Sequence, residues 1–246
     1  MILITRDIGN VQFFTSCLKE CSLLSCSVPL IETCAIAIPK ISVWEPLGNS
    51  GREVWVFSSP RGVEYLAKAL TGESVSRSIQ FVAQGDVTAK AVAEYFGTFD
   101  VTVSPFRTNE KMGGWLISEF PQSDVSFRVF GPRERSRACE ETLQLNGRIV
   151  RAIAVYETRE RMIKVTDRKI VESFYTEGIV TFFSPSAVKS WIVNKLELPY
   201  RTASFGPVTS ESMQQYGMKV WFEAPSNSLH EFAYLLKEAI SRQEKT

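Results

Sequence analysis

An internal repeat constrains the fold of this chain more than any other feature of its sequence. Residues 78–103 read as an apolar strand, a Gly-Asp turn, an Ala-rich helix and a second strand, and residues 202–223 repeat that order around a Gly-Pro turn. The matching positions, each at an offset of 121, are Gly85 with Gly206 at the turn and Thr88 with Thr209 at the helix start. A constant offset across a whole strand-turn-helix-strand unit indicates duplication of that unit.

The turn determines what such a unit can bind. A strand that passes through a glycine turn directly into a helix leaves the first N–H groups of that helix without intrahelical acceptors, at the carboxyl edge of the sheet. Anions bind at such helix N-termini, and a threonine hydroxyl there either caps the helix or contacts a ligand. Taken singly, Thr88 and Thr209 read as helix caps, whereas the repetition favours a binding site.

Two further patterns recur in the same order. Strands that run into a Ser-Pro helix start lie at residues 53–57 and 178–183, where Phe57 aligns with Phe183, and βαβ patterns lie at residues 1–31 and 126–158. Strands and helices thus alternate, which predicts an α/β fold of two lobes, each a parallel β-sheet flanked by helices, with a cleft between them.

Ligands of open α/β sheets bind outside the carboxyl ends of the strands. The hydroxyl-bearing residues expected at those ends are Ser58, Ser59, Thr88, Ser184, Ser186 and Thr209. We therefore expect a ligand site lined by hydroxyl groups and helix N-termini.

Other segments have weaker patterns. The expected elements are a strand at residues 24–31, a loop or short element at 39–51, a break at 104–114 before a helix at 114–120, a polar helix within 162–176 and an amphipathic helix at 227–241.

Composition excludes several classes of partner. The chain is 44% hydrophobic and 22% charged with a net charge of +1, which is ordinary for a globular protein and gives no electrostatic case for nucleic acid or a membrane surface. The N-terminus lacks a signal-peptide pattern, and charged residues and prolines interrupt the apolar stretch at residues 23–41. We therefore expect a cytoplasmic protein. We also expect a monomer, since no long exposed apolar stripe is evident.

The five cysteines predict neither a metal site nor a disulfide. Cys17 and Cys21 are four residues apart and could be joined by His230, the only histidine, but the spacing fits no zinc pattern. Reduced cysteines commonly fill apolar cores, and that interpretation is favoured.

The common catalytic motifs are missing. The sequence contains no G-x-S-x-G elbow, no phosphate-binding G-x-x-x-x-G-K-[ST] loop and no G-x-G-x-x-G. The arginines near the predicted turns are Arg61, Arg133, Arg137 and Arg201. With the hydroxyls they suit a ligand that bears several carboxylates or phosphates, while solvated surface charge is an equally good reading of any one of them.

Five motifs of the chain occur together, and in this order, in uroporphyrinogen-III synthases. They are V-x-V-F-[ST]-S-P-R-x-V-E at residues 54–64, G-x-x-T-A at 85–89, V-Y-E-T at 155–158, F-F-S-P-S-A-V at 182–188 and G-P-x-T at 206–209. The chain resembles this family over nearly its whole length. It departs at Asp7, where members often have proline, and at Ser58 and Val208, where threonine is frequent.

The resemblance implies a particular division of the chain. Residues 1–34 with 165–246 are expected to form one discontinuous lobe and residues 38–160 an inserted lobe. A two-strand hinge is expected to join them, with Tyr156 beside the cleft.

The resemblance also implies an activity. Family members are lyases of haem biosynthesis that cyclise hydroxymethylbilane and invert its terminal pyrrole ring, and no cofactor is expected because the substrate carries the reactivity. Tyr156 is the expected catalytic donor, although a strand tyrosine that anchors the hinge is nearly as good a reading. The expected substrate-binding residues are Ser59, Arg61, Thr88, Ser184, Ser186, Arg201 and Thr209. The expected protein partner is the preceding enzyme of the pathway, in transient contact.

Two other classes stay open at this point. A two-lobed small-molecule binding module would share the hinge and cleft, and a two-lobed glycosyltransferase would bind a nucleotide-sugar phosphate at similar helix N-termini.

Overall fold

The chain forms two units, each with its own sheet and core. The computed structural model describes residues 1–48, 52–76, 78–98, 100–106, 108–225 and 228–243. The terminal unit comprises Met1–Thr33 and Thr158–Thr246, and the inserted unit comprises Cys34–Glu157. Within the described residues, no helix is long and apolar enough to cross a membrane.

Strands and helices alternate along both units. The strands are β1 (Ile2–Ile4), β2 (Ser25–Ser27), β3 (Ile31–Ala35), β4 (Glu53–Phe57), β5 (Ile79–Ala83), β6 (Val101–Val103), β7 (Ser126–Pro132), β8 (Ile149–Glu160), β9 (Ile179–Phe182), β10 (Thr202–Ser204) and β11 (Val220–Glu223). The helices are α1 (Val11–Glu20), α2 (Lys40–Trp44), α3 (Pro60–Ala69), α4 (Asp86–Phe96), α5 (Asn109–Glu119), α6 (Ala138–Leu145), α7 (Val165–Glu172), α8 (Pro185–Val193), α9 (Pro207–Gln215) and α10 (Leu229–Gln243).

The terminal unit is built on a five-stranded sheet in the order β11-β10-β9-β1-β2. Its strand pairings are parallel, so its helices cross over and cover both faces. Trp191 of α8 and Met213 of α9 pack on one face, and Phe14 of α1 and Phe232 of α10 pack on the other.

The inserted unit has a six-stranded sheet in the order β3-β8-β7-β4-β5-β6. The pairings of β4 with β5 and β7, of β5 with β6 and of β7 with β8 are parallel. Leu66 of α3 and Val92 of α4 pack on one face, and Leu116 of α5 and Leu143 of α6 on the other. The predicted class, parallel sheets flanked by helices, is confirmed.

The two sheets repeat one topology. Reading β2-β1-β9-β10-β11 beside β8-β7-β4-β5-β6 pairs each strand with its copy. Equivalent backbone bonds set the register, because the Gln84 N–H donates to the carbonyl of Phe57 and the Phe205 N–H donates to that of Phe182, both at 2.9 Å. The copy of Phe57 is therefore Phe182, and its predicted alignment with Phe183 is wrong by one residue.

Several weakly patterned segments differ from expectation. The strand predicted at residues 24–31 is two short strands in different sheets, β2 and β3, separated at Pro29. The loop or short element predicted at 39–51 contains α2, and residues 49–51 lie outside the described part. The start predicted for the last helix, Asn227, also lies outside it, and α10 runs from Leu229.

A buried arginine attaches α2 to the sheet. Arg128 of β7 is only 1% exposed, and its guanidinium donates to the carboxylate of Glu53 and, at 2.7 Å, to the carbonyl of Ser42. The indole of Trp55 donates to the same carboxylate at 2.6 Å. The buried guanidinium is thus both ion-paired and hydrogen-bonded, as burial of a charge requires.

Helix α5 begins five residues earlier than the glycines at 113 and 114 predict. Glycine usually interrupts a helix, but Gly113 lies where α5 packs closely on α6. A Cβ at Gly113 would lie 2.8 Å from the Cβ of Thr142 and 2.9 Å from the carbonyl oxygen of Cys139. Gly113 therefore permits close helix packing, which short-range patterns do not reveal.

We expect Gly113→Ala to lower the free energy of unfolding by about 2 kcal/mol, because the added methyl group overpacks this helix contact. The adjacent Gly114→Ala is the matched control, since nothing lies within 4 Å of its Cβ position. It should be neutral or stabilise the helix by up to about 1 kcal/mol. Denaturant unfolding measures both, and equal effects of the two changes would contradict this packing.

Candidate functional site

Ser59 and Arg61 lie at the carboxyl edge of the inserted unit's sheet. Ser59 follows β4 and is the N-cap of α3, where its hydroxyl accepts a hydrogen bond from the Gly62 N–H at 3.3 Å. Pro60 begins the helix, a position that proline favours because it needs no donor. Arg61 is the second helical residue and is half-buried, so its charge lies near the same edge.

The terminal unit repeats this arrangement after β9. Ser184 is the N-cap of α8, and its hydroxyl accepts from the Ala187 N–H at 3.4 Å. Pro185 begins the helix and Ser186 is its second residue. Neither α3 nor α8 has an acidic residue in its first turn, so the positive ends of both helix dipoles are uncompensated there.

The two threonines of the repeat are not helix caps. The N-cap residues are Gly85 at φ 92° and Gly206 at φ 158°, backbone conformations that residues with a Cβ rarely adopt. Thr88 and Thr209 are each the third residue of their helix and are buried, at 2% and 5% exposure. Their cap interpretation is wrong, because the N-cap residue of each helix lies three residues before the threonine.

Helix α4 is less suited to anions than its copy α9. The hydroxyl of Thr88 donates back to the carbonyl of Gln84 at 3.4 Å. Asp86, in the first turn of α4, already compensates the helix dipole, whereas α9 has no acid there. The anion-binding potential therefore lies mainly with α3, α8 and α9.

A register shift in β8 sets the direction of Tyr156. Gly131 of β7 pairs with Ala154, but the next residue, Pro132, pairs with Tyr156, so Val155 is an extra residue on β8. Val155 and Tyr156 consequently pack in the same apolar cluster although they are consecutive. A simple strand alternates its faces and would separate them.

The phenol of Tyr156 reaches the start of α3. Its side chain is 7% exposed, and its hydroxyl oxygen lies 3.3 Å from that of Ser59. Its ring stacks on the ring of Tyr65, with centroids 5.4 Å apart and planes at 28°. The structure thus brings two predicted site residues, Ser59 and Tyr156, into direct contact.

Arg201 lies on the opposite side of the terminal unit's sheet from the other predicted residues of that unit. It immediately precedes β10 and is therefore at the amino edge of the sheet, opposite Ser184. Its guanidinium lies 5.6 Å from the ring centroid of Tyr200 and 5.7 Å from that of Trp221. The prediction that Arg201 joins the site is corrected, because an arginine before a strand is on the wrong side of the sheet.

The other two arginines predicted near turns are in the inserted unit. Arg133 follows β7 and forms an ion pair with Glu157 at 2.5 Å. Arg137 is exposed at the start of α6. The charge of Arg133 is thus neutralised by a neighbouring carboxylate. This agrees with the interpretation of Arg133 as a surface charge.

Sequence motifs miss two polar side chains at the carboxyl edges. Arg6 follows β1, and its guanidinium lies 5.1 Å from the ring centroid of Phe183. Gln84 follows β5, and its Nε2 is buried without an acceptor among the described residues. The internal repeat does not indicate a polar residue here, because the equivalent of Gln84 in the other unit is Phe205. The only sequence feature that could indicate Gln84 is its position directly after a strand.

The conventional base and nucleophile candidates are His230 and Cys139. His230 is exposed on α10, with Nδ1 3.8 Å from a carboxylate oxygen of Glu20. Cys139 is buried under α5, where desolvation and the neighbouring Glu140 carboxylate raise the pKa of its thiol to about 12. A buried, protonated thiol is a poor nucleophile. The helix starts at the carboxyl edges offer hydrogen-bond donors.

One family model matches most of the chain. A family model described as uroporphyrinogen-III synthase HemD matches residues 18–231. Among curated protein sequences, none matches the chain significantly. The family match favours neither a binding module nor a glycosyltransferase.

Solved structures share the fold. A uroporphyrinogen-III synthetase from Helicobacter pylori is 18% identical, with 98% of each chain covered and a TM-score of 0.66. A mutant uroporphyrinogen III synthase from the extremely thermophilic bacterium Thermus thermophilus is 12% identical, with 98% of each chain covered and a TM-score of 0.63. At these identities the likeness is one of fold.

The serine cap can be tested by stability. We expect Ser184→Ala to lower the free energy of unfolding by about 1 kcal/mol, because the Ala187 N–H loses its side-chain acceptor. Ser184→Asp should keep the stability, since aspartate caps helices as well as serine does and its charge suits the helix dipole. Denaturant unfolding measures both, and a loss as large for the aspartate variant would contradict the cap assignment.

Proposed function

Because this chain belongs to the uroporphyrinogen-III synthase family, enzymes of haem biosynthesis, we propose that its substrate is hydroxymethylbilane. This linear tetrapyrrole carries acetate and propionate arms on every ring. The enzyme closes it to a macrocycle and inverts the terminal pyrrole.

The reaction removes one water molecule. Protonation of the leaving hydroxyl breaks the bond between carbon and oxygen, and the adjacent pyrrole nitrogen supplies the electron pair to give an azafulvene. The substituted carbon of the terminal ring attacks to form a spiro intermediate. Fragmentation and reclosure of that intermediate, with loss of a proton from carbon, give the type III isomer and restore the proton balance.

Positioning is the main catalytic task. Unassisted closure gives the symmetric isomer, so the enzyme must hold a flexible polyanion such that the more hindered carbon attacks. Fixing the reacting atoms in a productive geometry can supply much of a rate enhancement without a reactive side chain. Fixed hydrogen-bond donors along the substrate's carboxylates serve that purpose.

One observation carries the binding proposal, namely the pair of serine-capped helix starts at the carboxyl edges. Ser59 and Ser184 occupy equivalent positions, and no acidic residue follows either in the first helical turn. Backbone N–H groups and hydroxyls there are ready donors for carboxylates. We assign Arg61, Ser186 and the first turn of α9 at Thr209 to the same task.

In this proposal Thr88 and Arg201 contribute to the fold and not to substrate binding. Thr88 is buried and its helix starts with Asp86, so its contribution is to the packing of the turn. Arg201 contributes to the fold through its contacts with two aromatic rings.

Tyr156 is the proposed donor to the leaving hydroxyl. Its phenol is mostly buried and is held beside Ser59 at the carboxyl edge. A phenol can donate a hydrogen bond or a proton to a departing oxygen and take a proton back later.

The compartment and a partner follow from the same proposal. The five cysteines are free thiols, which fits the cytoplasm because thiols persist in a reducing compartment. Hydroxymethylbilane closes unaided, so transient contact with the enzyme that supplies it would shorten its time in water.

Tyr156→Phe tests the donor. We expect kcat for the type III isomer to fall by about 100-fold or more, because the substitution removes the hydroxyl that donates to the leaving oxygen. The ring and its packing are kept. Turnover of enzymatically generated hydroxymethylbilane, with the isomers resolved after oxidation, measures it. Tyr95→Phe is the matched control, since Tyr95 is 42% exposed on α4. Near-normal turnover of the Tyr156 variant would remove the phenol from the mechanism.

Ser184→Asp tests anion binding at α8. The helix cap is kept, but the new carboxylate repels those of the substrate, so KM should rise by about ten-fold with little loss of stability. Arg201→Gln is the control at the opposite edge and should leave KM unchanged. An unaltered KM for Ser184→Asp, or an equal rise for Arg201→Gln, contradicts the proposed binding edge.

A further inference from the structure

Tyr156 has two neighbours that restrict its ring and its hydroxyl. Tyr65 stacks on the ring at 5.4 Å between centroids, and Ser59 contacts the hydroxyl at 3.3 Å. Both neighbours belong to one element, because Ser59 caps α3 and Tyr65 is its sixth residue. The phenol is therefore oriented against a single helix.

The two contacts restrain the phenol of Tyr156 to different degrees. A hydroxyl–hydroxyl hydrogen bond is strongest near 2.7–2.8 Å, so the contact with Ser59 is a long one. The hydroxyl of Ser59 also accepts from the Gly62 N–H, which keeps it at the cap. An offset aromatic stack within this distance is favourable and restricts the ring plane. The stack with Tyr65 is thus the stronger restraint on the phenol.

Tyr65 is itself held in place. It is half-buried on α3, and Nζ of Lys68, one turn along the helix, lies 5.6 Å from its ring centroid. Lys68 is also ion-paired with Glu64 at 2.5 Å. The cation over the ring and the position of Tyr65 inside a capped helix limit the motion of its side chain.

We propose that Tyr65 is a positioning residue that aligns the phenol of Tyr156 with the departing hydroxyl of the substrate through ring stacking. The inference rests on the proposed role of Tyr156. Tyr65 makes no covalent step, and its hydroxyl is not required. Displacement of a reacting group by about 1 Å can cost as much as 100-fold in rate, so a lost stacking partner should appear in kcat rather than in KM.

The test compares two substitutions of Tyr65. Tyr65→Phe keeps the stack and should retain wild-type kcat within about two-fold, whereas Tyr65→Leu removes the ring and should lower kcat by about ten-fold at unchanged KM. The measurement is turnover of hydroxymethylbilane, with circular dichroism to verify folding. If the leucine variant does not fold, Tyr65→Met replaces it with an adaptable side chain of similar length.

A double-mutant cycle separates positioning from simple stabilisation. In the Tyr156→Phe background, Tyr65→Leu should cause no further loss of kcat, because no hydroxyl remains to be aligned. A merely structural effect of Tyr65 would instead lower kcat by the same factor in both backgrounds.

The outcomes distinguish this inference from the proposal on which it rests. Normal turnover of Tyr156→Phe overturns the donor role itself. A strong loss for Tyr156→Phe, together with full kcat for Tyr65→Leu or with equal losses in both backgrounds, overturns only the positioning role of Tyr65. Rescue by Tyr65→Phe and a non-additive cycle support it.

Discussion

In each unit, the proposed binding groups depend on helix N-termini that follow parallel strands. Each helix start leaves backbone N–H groups without intrahelical acceptors, and a parallel sheet brings those starts to one edge. In both units a serine caps such a helix, at Ser59 and at Ser184. Backbone donors are held in place by the helix itself, which is what the proposed catalysis by positioning requires.

Duplication supplies the helix starts of the proposed site, and differences between the copies supply its proposed catalytic donor. The strand β2 spans three residues, Ser25–Ser27, whereas its copy β8 spans twelve and carries Tyr156. A register shift next to that tyrosine directs its phenol to the start of α3. Helix α4 differs from α9 by Asp86 in its first turn, so even equivalent turns differ in their affinity for anions.

Local sequence patterns predict those structural features that residues close in sequence determine. The strand-turn-helix copies and the edge of each sheet that carries the serine hydroxyls follow from the order of apolar runs, glycine, proline and serine. The caps Gly85 and Gly206 do not, because the pattern indicates the threonines instead. Contacts distant in sequence are not visible in that order. Gly113 lies inside a helix because α6 packs against it, and the neighbours of Tyr156 depend on an extra residue in β8. Arg201 was assigned by its closeness to a turn, which does not say at which end of a strand the turn lies.

We propose that backbone amides at the carboxyl edges of the sheets bind the carboxylate arms of the substrate. The most direct measurement follows the amide resonances of ¹⁵N-labelled protein during anaerobic titration with the cyclic product, uroporphyrinogen III. We expect the largest chemical-shift changes in the first turns of α3, α8 and α9. Shifts concentrated at the amino ends of the strands, around Arg201 or Glu53, with those helix starts unchanged, would contradict it.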